Sequence, residues 1–173
     1  MAEAREAKNL DLGAVFDAHV RNEFVTKDVN ATMETMTDNP YVHHVPTLVG
    51  GYGRTDVVNF YTNHFIGRTP ADMRIEPISR TVSDDQVVDE LMLYFTHDSP
   101  VDFILPGVAP TGKKVAVPNV VVMKFKDGKI VYEHIYWDQA SVLVQIGLLD
   151  AKNLPVSGVE QANRLLELAK TRD

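Results

Sequence analysis

The dipeptide Asp127-Gly128 lies between two β-rich runs, Val115 to Lys126 and Lys129 to Trp137. A type I′ turn needs positive φ at both central residues, and Asp-Gly accepts this readily, so the runs are tied into one long antiparallel hairpin. Counting outward from the turn pairs Phe125 with Ile130, Met123 with Tyr132, Val121 with His134, Asn119 with Tyr136 and Val117 with Asp138. In that register all ten side chains share one face. Strands of this length joined by a tight turn need a helical layer over one face.

A second hairpin precedes it. Arg74 to Val82 and Val87 to His97 flank the polar turn Ser83-Asp84-Asp85-Gln86, which sets Arg80 opposite Asp89 and Ser79 opposite Glu90. Helical patterns fill the N-terminal part. Asp11 caps a helix whose Leu12, Val15, Phe16, His19 and Val20 fall on one stripe. A shorter helix follows from Val29 to Met36, ended by Asn39-Pro40, and the chain then runs extended from Tyr41 to Pro46. After the break at Gly50-Gly51-Tyr52-Gly53, a third helix from Thr55 to Ile66 sets Val57, Tyr61 and His64 along one side.

The connection from Asp98 to Lys113 holds Pro100, Pro106 and Pro110 around the apolar run Val101 to Leu105, which covers something or meets a partner. Asp138 caps a helix ending near Gly147, with Val142, Leu143 and Ile146 as its apolar side. Ser157-Gly158-Val159-Glu160 is a capping-box pattern that opens a terminal helix carrying Ala162, Leu165, Leu166 and Ala169 on one stripe.

Composition narrows the chemistry. The 173 residues, 45% of them hydrophobic, suit one domain over 1–173, without repeat or linker to divide it. Cysteine is absent, which excludes disulfides, thiol nucleophiles and cysteine-ligated zinc. A formal charge of −7 with scattered basic residues argues against nucleic acid as partner. The charged and alanine-rich Met1 to Leu10 is neither a signal peptide nor a membrane anchor, and the expected location is cytoplasmic. Neither a Gly-x-Ser-x-Gly elbow, a phosphate loop nor a dinucleotide fingerprint is present.

Three groups of residues carry a resemblance: His44-Val45-Pro46 before a glycine break and helix, Pro110-Thr111-Gly112-Lys113 before a strand, and Gly128-Lys129-Ile130-Val131-Tyr132-Glu133 leading to Trp137-Asp138 and Gln145-Ile146-Gly147. With the element order, they resemble the SnoaL-type polyketide cyclase branch of the nuclear transport factor 2-like superfamily, over roughly residues 15–149. That branch is similar in fold to ketosteroid isomerases. The resemblance implies an α+β fold in which N-terminal helices cover a cone-shaped, curved antiparallel sheet, with 157–171 as an added C-terminal helix. It implies a homodimer and cofactor-independent acid/base chemistry on a small hydrophobic carbonyl compound, of the aldol cyclase or isomerase type. A non-catalytic binding or interaction domain and a lactone hydrolase or isomerase are the alternatives on the same fold.

The family's acid/base aspartate corresponds to Asp138, and His44 corresponds to the histidine of the first-strand His-x-Pro pattern. Asp138 has two open roles, proton transfer or helix cap. His134, Tyr136 and Asn119 share its expected face and form a polar group on an apolar sheet, as a ligand pocket requires. His134, His44 and Glu90 are the further catalytic candidates, Glu90 having a plain salt-bridge or surface role as its alternative. Tyr61, His64, Asn119, Tyr136 and Trp137 are the candidates for substrate contact. His19, His64 and His97 lack any compact ligand spacing, so no metal is expected.

Overall fold

The computed structural model describes residues 10–171. The expectation for Met1 to Leu10 falls, up to residue 9, outside the described residues. Helix α1 (Leu12–Arg21) is capped by Asp11, whose Oδ1 accepts from the Ala14 amide at 2.9 Å. It runs into a π-helical turn, Asn22–Thr26. Helix α2 (Val29–Glu34) is capped by Asp28. Then follow β1 (Met36–His44), β2 (Val49–Tyr52) and α3 (Arg54–Phe60), which also ends in a π-helical turn, Tyr61–Phe65. The hairpins are β3 (Arg74–Val82) with β4 (Gln86–Thr96), and β5 (Lys114–Lys126) with β6 (Lys129–Trp137). Helices α4 (Gln139–Gln145) and α5 (Glu160–Lys170) close the chain. No helix among the described residues is long and apolar enough to cross a membrane.

The strands form one curved, unclosed sheet in the order β2-β1-β6-β5-β4-β3. It is mixed, because β1 pairs with β6 in parallel while every other neighbour is antiparallel. Its inner face meets α1 and α3 across the core formed by residues such as Phe16, Phe60, Val117 and Ile130. The second helix stops at Glu34 rather than Met36, and Met36 opens β1. Pro40 lies inside that strand, where the β1–β6 register shifts between Met36 and Tyr41, because proline donates no ladder hydrogen bond and is accommodated at an irregularity. Gly51 permits β2 to approach α3, since a Cβ there would stand 2.5 Å from the Asp56 backbone.

The first hairpin keeps its expected register, with Arg80 opposite Asp89 and Ser79 opposite Glu90. Arg80 grips Asp89 through Nε and Nη2 at 2.6 and 2.7 Å. The second hairpin departs from expectation by one residue. Asp127 and Gly128 adopt φ of 52° and 77° as a type I′ turn requires, and Phe125 does pair with Ile130. A bulge then inserts Val131, so Met123 pairs with Glu133, Val121 with Ile135 and Asn119 with Trp137. Because side chains alternate with period two, every β6 residue beyond the bulge changes face: Glu133, Ile135 and Trp137 turn inward, while Tyr132, His134 and Tyr136 turn outward.

The run Val101 to Leu105 is covered by its own chain, with Val101, Phe103, Ile104 and Leu105 all buried. It leaves no exposed apolar patch to be met by a partner, which removes that argument for a dimer. Helix α5 begins at Glu160, and the Glu160 carboxylate accepts from the Gly158 amide.

Candidate active site

A cavity opens between the inner sheet face and the two N-terminal helices that end in π-helical turns. It offers about 60 Å³ to the centre of a water-sized sphere, room for a few waters or a small organic group. Its walls are mainly apolar, with Phe16, Phe24, Phe60, Phe65 and Phe103 prominent. The polar side chains that reach it are Glu23, His44, Tyr61, Asn119 and Glu133.

Four elements bring one polar cluster to its floor. His19 comes from the apolar stripe of α1, Glu23 from the π-helical turn that follows, Tyr61 from the junction of α3 with its own π-helical turn, and Glu133 from β6 beyond the bulge. Such wide helical turns occur often at functional sites. His19 Nε2 lies 2.9 Å from Glu133 Oε1, 3.2 Å from Glu23 Oε1 and 3.1 Å from the Tyr61 hydroxyl. The Tyr61 hydroxyl donates to Glu133 Oε1 at 2.8 Å. Behind the imidazole, Thr35 spends its own hydroxyl proton on the Thr32 carbonyl, so its oxygen accepts from His19 Nδ1–H at 2.6 Å. That bond fixes which nitrogen faces the carboxylates.

Electrostatics splits the two glutamates. Burial alone would lower the His19 pKa from its ordinary 6.5, but Glu133 and Glu23 outweigh it and raise it to about 10, so the ring is an imidazolium. Burial also disfavours the charged carboxylates. At Glu133 this is overcome by His19 and by the Tyr61 hydrogen bond, and its pKa falls below the ordinary range. At Glu23 burial prevails, reinforced by the neighbouring Glu133, and the pKa rises. Tyr61 is pushed well above 10 by burial and the same two carboxylates, and stays a neutral phenol. One carboxylate whose ionised form is favoured, beside one whose neutral form is favoured, is an acid/base pair set by environment.

His44 stands across the cavity among Phe60, Phe103 and Trp137, with ring centroids 5.2 to 5.9 Å away. Its Nδ1 donates to the Val49 carbonyl at 3.2 Å, and burial lowers its pKa to about 4, leaving a neutral ring.

The residues expected from sequence scatter around this arrangement. Tyr61 belongs to the polar cluster, and His44 and Asn119 line the cavity. Trp137 is buried edge-on to His44, its Nε1 donating to Gln139 Oε1 at 2.6 Å. Asp138 does not line the cavity. Its Oδ1 accepts from the Ser141 amide at 3.2 Å and its Oδ2 from Gln161 Nε2 at 2.9 Å, the arrangement of a helix cap. His134 and Tyr136 lie on the outer sheet face. There His134 shares a 2.9 Å hydrogen bond with the Tyr41 hydroxyl and stacks on Tyr132, and Tyr136 is exposed. Glu90, on the same outer face, accepts from Ser79 Oγ at 3.0 Å. His64 is exposed and pairs with Asp102 at 3.0 Å. His97 is buried against Thr111, and among the described residues His19, His64 and His97 form no cluster. Glu23 and Glu133 are not among the residues expected from sequence, where His19 stands on the apolar stripe of the first helix and among the unclustered histidines. A histidine on an apolar helical stripe with a glutamate four residues on was the available signal.

Comparison with known proteins places the architecture. The model of the SnoaL-like domain family matches residues 16–133. No curated protein matches the chain at a significant level. Among solved structures, a candidate SnoaL-like polyketide cyclase from Jannaschia is 20% identical with a TM-score of 0.64, covering 85% of this chain and 100% of its own. AclR, a candidate hydroxylase from Streptomyces galilaeus, is 21% identical with a TM-score of 0.61, covering 80% of this chain and 97% of its own. A protein of ketosteroid isomerase-like fold from Catenulispora acidiphila, in complex with trimethylamine, is 18% identical with a TM-score of 0.58 over 82% and 97%.

Proposed function

From a chain that belongs to the SnoaL-like domain family, we propose a small-molecule enzyme that moves protons on an apolar carbonyl compound, with Glu133 as base and Glu23 as acid. One observation carries the reading: the buried His19–Glu133–Glu23–Tyr61 cluster, with its two carboxylates driven in opposite directions, opens onto a mainly apolar cavity. Glu133 takes a proton from the carbon beside the carbonyl, and Glu23 gives its proton to the oxygen that gains charge. The resulting enol either attacks a second carbonyl to close a ring, as in an aldol cyclisation, or regains a proton at another carbon, as in an isomerisation. His19 and Tyr61 hold Glu133 ionised and in place, and the phenylalanine walls exclude water, which strengthens each of these interactions. The names of the relatives, a candidate polyketide cyclase and a ketosteroid isomerase-like protein, agree with this class of reaction.

The first half-reaction can be followed without the natural substrate. Small apolar ketones are incubated with the protein in D2O, and loss of the α-proton signal is followed by NMR. Exchange accelerated by wild type and abolished in a folded Glu133→Gln variant is the expected result. Exchange no faster than in buffer across a size-graded panel, or equal in wild type and variant, would sink the assignment.

A further inference from the structure

We propose that His19, Glu23 and Glu133 form a binding site for one divalent ion of the zinc class. Each offers one ligand atom, and these atoms all lie within 4.8 Å of one another. All three residues are buried, at 0%, 7% and 4% exposure, so the group is not a solvated acidic patch. Ligands held about 2.1 Å from a common zinc stand roughly 3.0 to 3.4 Å apart around its coordination sphere. Of the separations here, His19 Nε2 to Glu23 Oε1 at 3.2 Å falls within that range and His19 Nε2 to Glu133 Oε1 at 2.9 Å just below it, with the third edge inside 4.8 Å.

Two features outside the ligand set point the same way. Thr35 can only accept from His19 Nδ1–H, because its own proton goes to Thr32, and the opposite nitrogen is thereby aimed at both carboxylates. A buried partner on the far ring nitrogen is the usual support of a metal-bound histidine. Tyr61 supplies a matching support to Glu133.

Ligand chemistry selects the ion. One imidazole and two carboxylates suit a borderline cation, whereas calcium requires six to eight oxygens and magnesium retains several waters. Two carboxylates and a neutral imidazole balance one dication, so ion and ligands enter the apolar interior without net charge. The open side of the site is the cavity, which both Glu23 and Glu133 line. An ion bound here takes the place of the protons that the cluster otherwise shares. Direct binding tests the inference whether or not the proton-transfer reading holds.

The experiment titrates chelator-treated, dialysed protein with Zn2+ by calorimetry, and with Co2+ while its visible absorption is followed. One ion per chain is expected, with Co2+ bands of low coordination number that Zn2+ abolishes. Binding should weaken at least about tenfold in Glu133→Gln and in Thr35→Val, the second of which leaves all three ligands intact. His64→Gln, at the exposed His64–Asp102 pair, should retain wild-type affinity and reports on adventitious surface binding. Circular dichroism establishes that each variant is folded. The site is overturned by absence of saturable one-to-one binding in wild type, or by unchanged affinity in folded Glu133→Gln, which would place the ion elsewhere.

Discussion

Replacing Glu133 by Gln keeps the shape of the side chain and removes the charge that His19 was brought inside to meet. The imidazolium is then left buried with Glu23, whose own ionised form burial disfavours. Removing one partner of a buried ion pair costs about 3–5 kcal/mol, far more than an exposed pair would. The pH dependence gives a sharper signature. The His19 pKa is raised from 6.5 to about 10 in the folded protein, so its contribution is fully present below pH 6.5 and is lost as pH climbs through 10. At about 1.4 kcal/mol for each pH unit, this window holds a ceiling of about 5 kcal/mol. The raised pKa of Glu23 has the same sign, its contribution also declining with rising pH. Urea denaturation of both proteins at intervals from pH 6 to 9.5 measures the difference between them, in which titrations common to both cancel. Wild type should lose several kcal/mol across the window and the variant at most half as much, because its histidine reverts toward the low pKa that burial imposes. Parallel stability curves for the two proteins would refute the pairing. So would a variant as stable as wild type at pH 6.

Three further outcomes follow from the same arrangement of side chains. His44, held neutral with its pKa lowered to about 4, costs the fold stability as pH falls from 6.5 through 4, by at most about 3 kcal/mol, and His44→Phe should flatten that part of an acid-denaturation profile. Asp138→Ala should lose about 0.5–2 kcal/mol in thermal unfolding through the cap, whereas Asp138→Asn, still able to cap, should lose only a few tenths and keep its activity in ketone exchange. Deleting Val131 should abolish the native fold on near-UV circular dichroism, since the straightened strand would turn Glu133, Ile135 and Trp137 to the outer face.

The architecture was legible because it rests on local signals of large effect. Asp127-Gly128 imposes its turn, the Ser83 to Gln86 turn sets the first hairpin with Arg80 against Asp89, and Asp11 and Asp138 cap helices where their chemistry says they should. The parallel pairing of β1 with β6 joins strands separated by most of the chain, and nothing local encodes the direction of such a contact. Helix ends moved for a comparable reason. The α1 and α3 patterns read as continuous helix, yet each finishes in a wider turn that carries Glu23 or Tyr61 toward the floor of the cavity.

The candidate site was less legible, and one residue accounts for much of the difference. Strict alternation from the turn sets His134, Tyr136 and Asp138 on one face with Asn119, and Glu133 on the opposite face. The insertion of Val131 inverts that assignment while leaving Phe125 opposite Ile130. No propensity marks the bulge, because Val131 suits a regular strand as well as an irregular one. What favours it is the tertiary arrangement. With the bulge, Glu133 meets His19 and Tyr61 inside, and Tyr132, His134 and Tyr136 form an aromatic face with Tyr41 outside. Without it, an imidazole would sit in the core with Glu23 as its only carboxylate, and the ionised Glu133 would be solvated far from any cavity. The same insertion therefore gives the buried histidine its counter-charge and gives the cavity its carboxylate, so the strand irregularity and the candidate site are one feature of this chain.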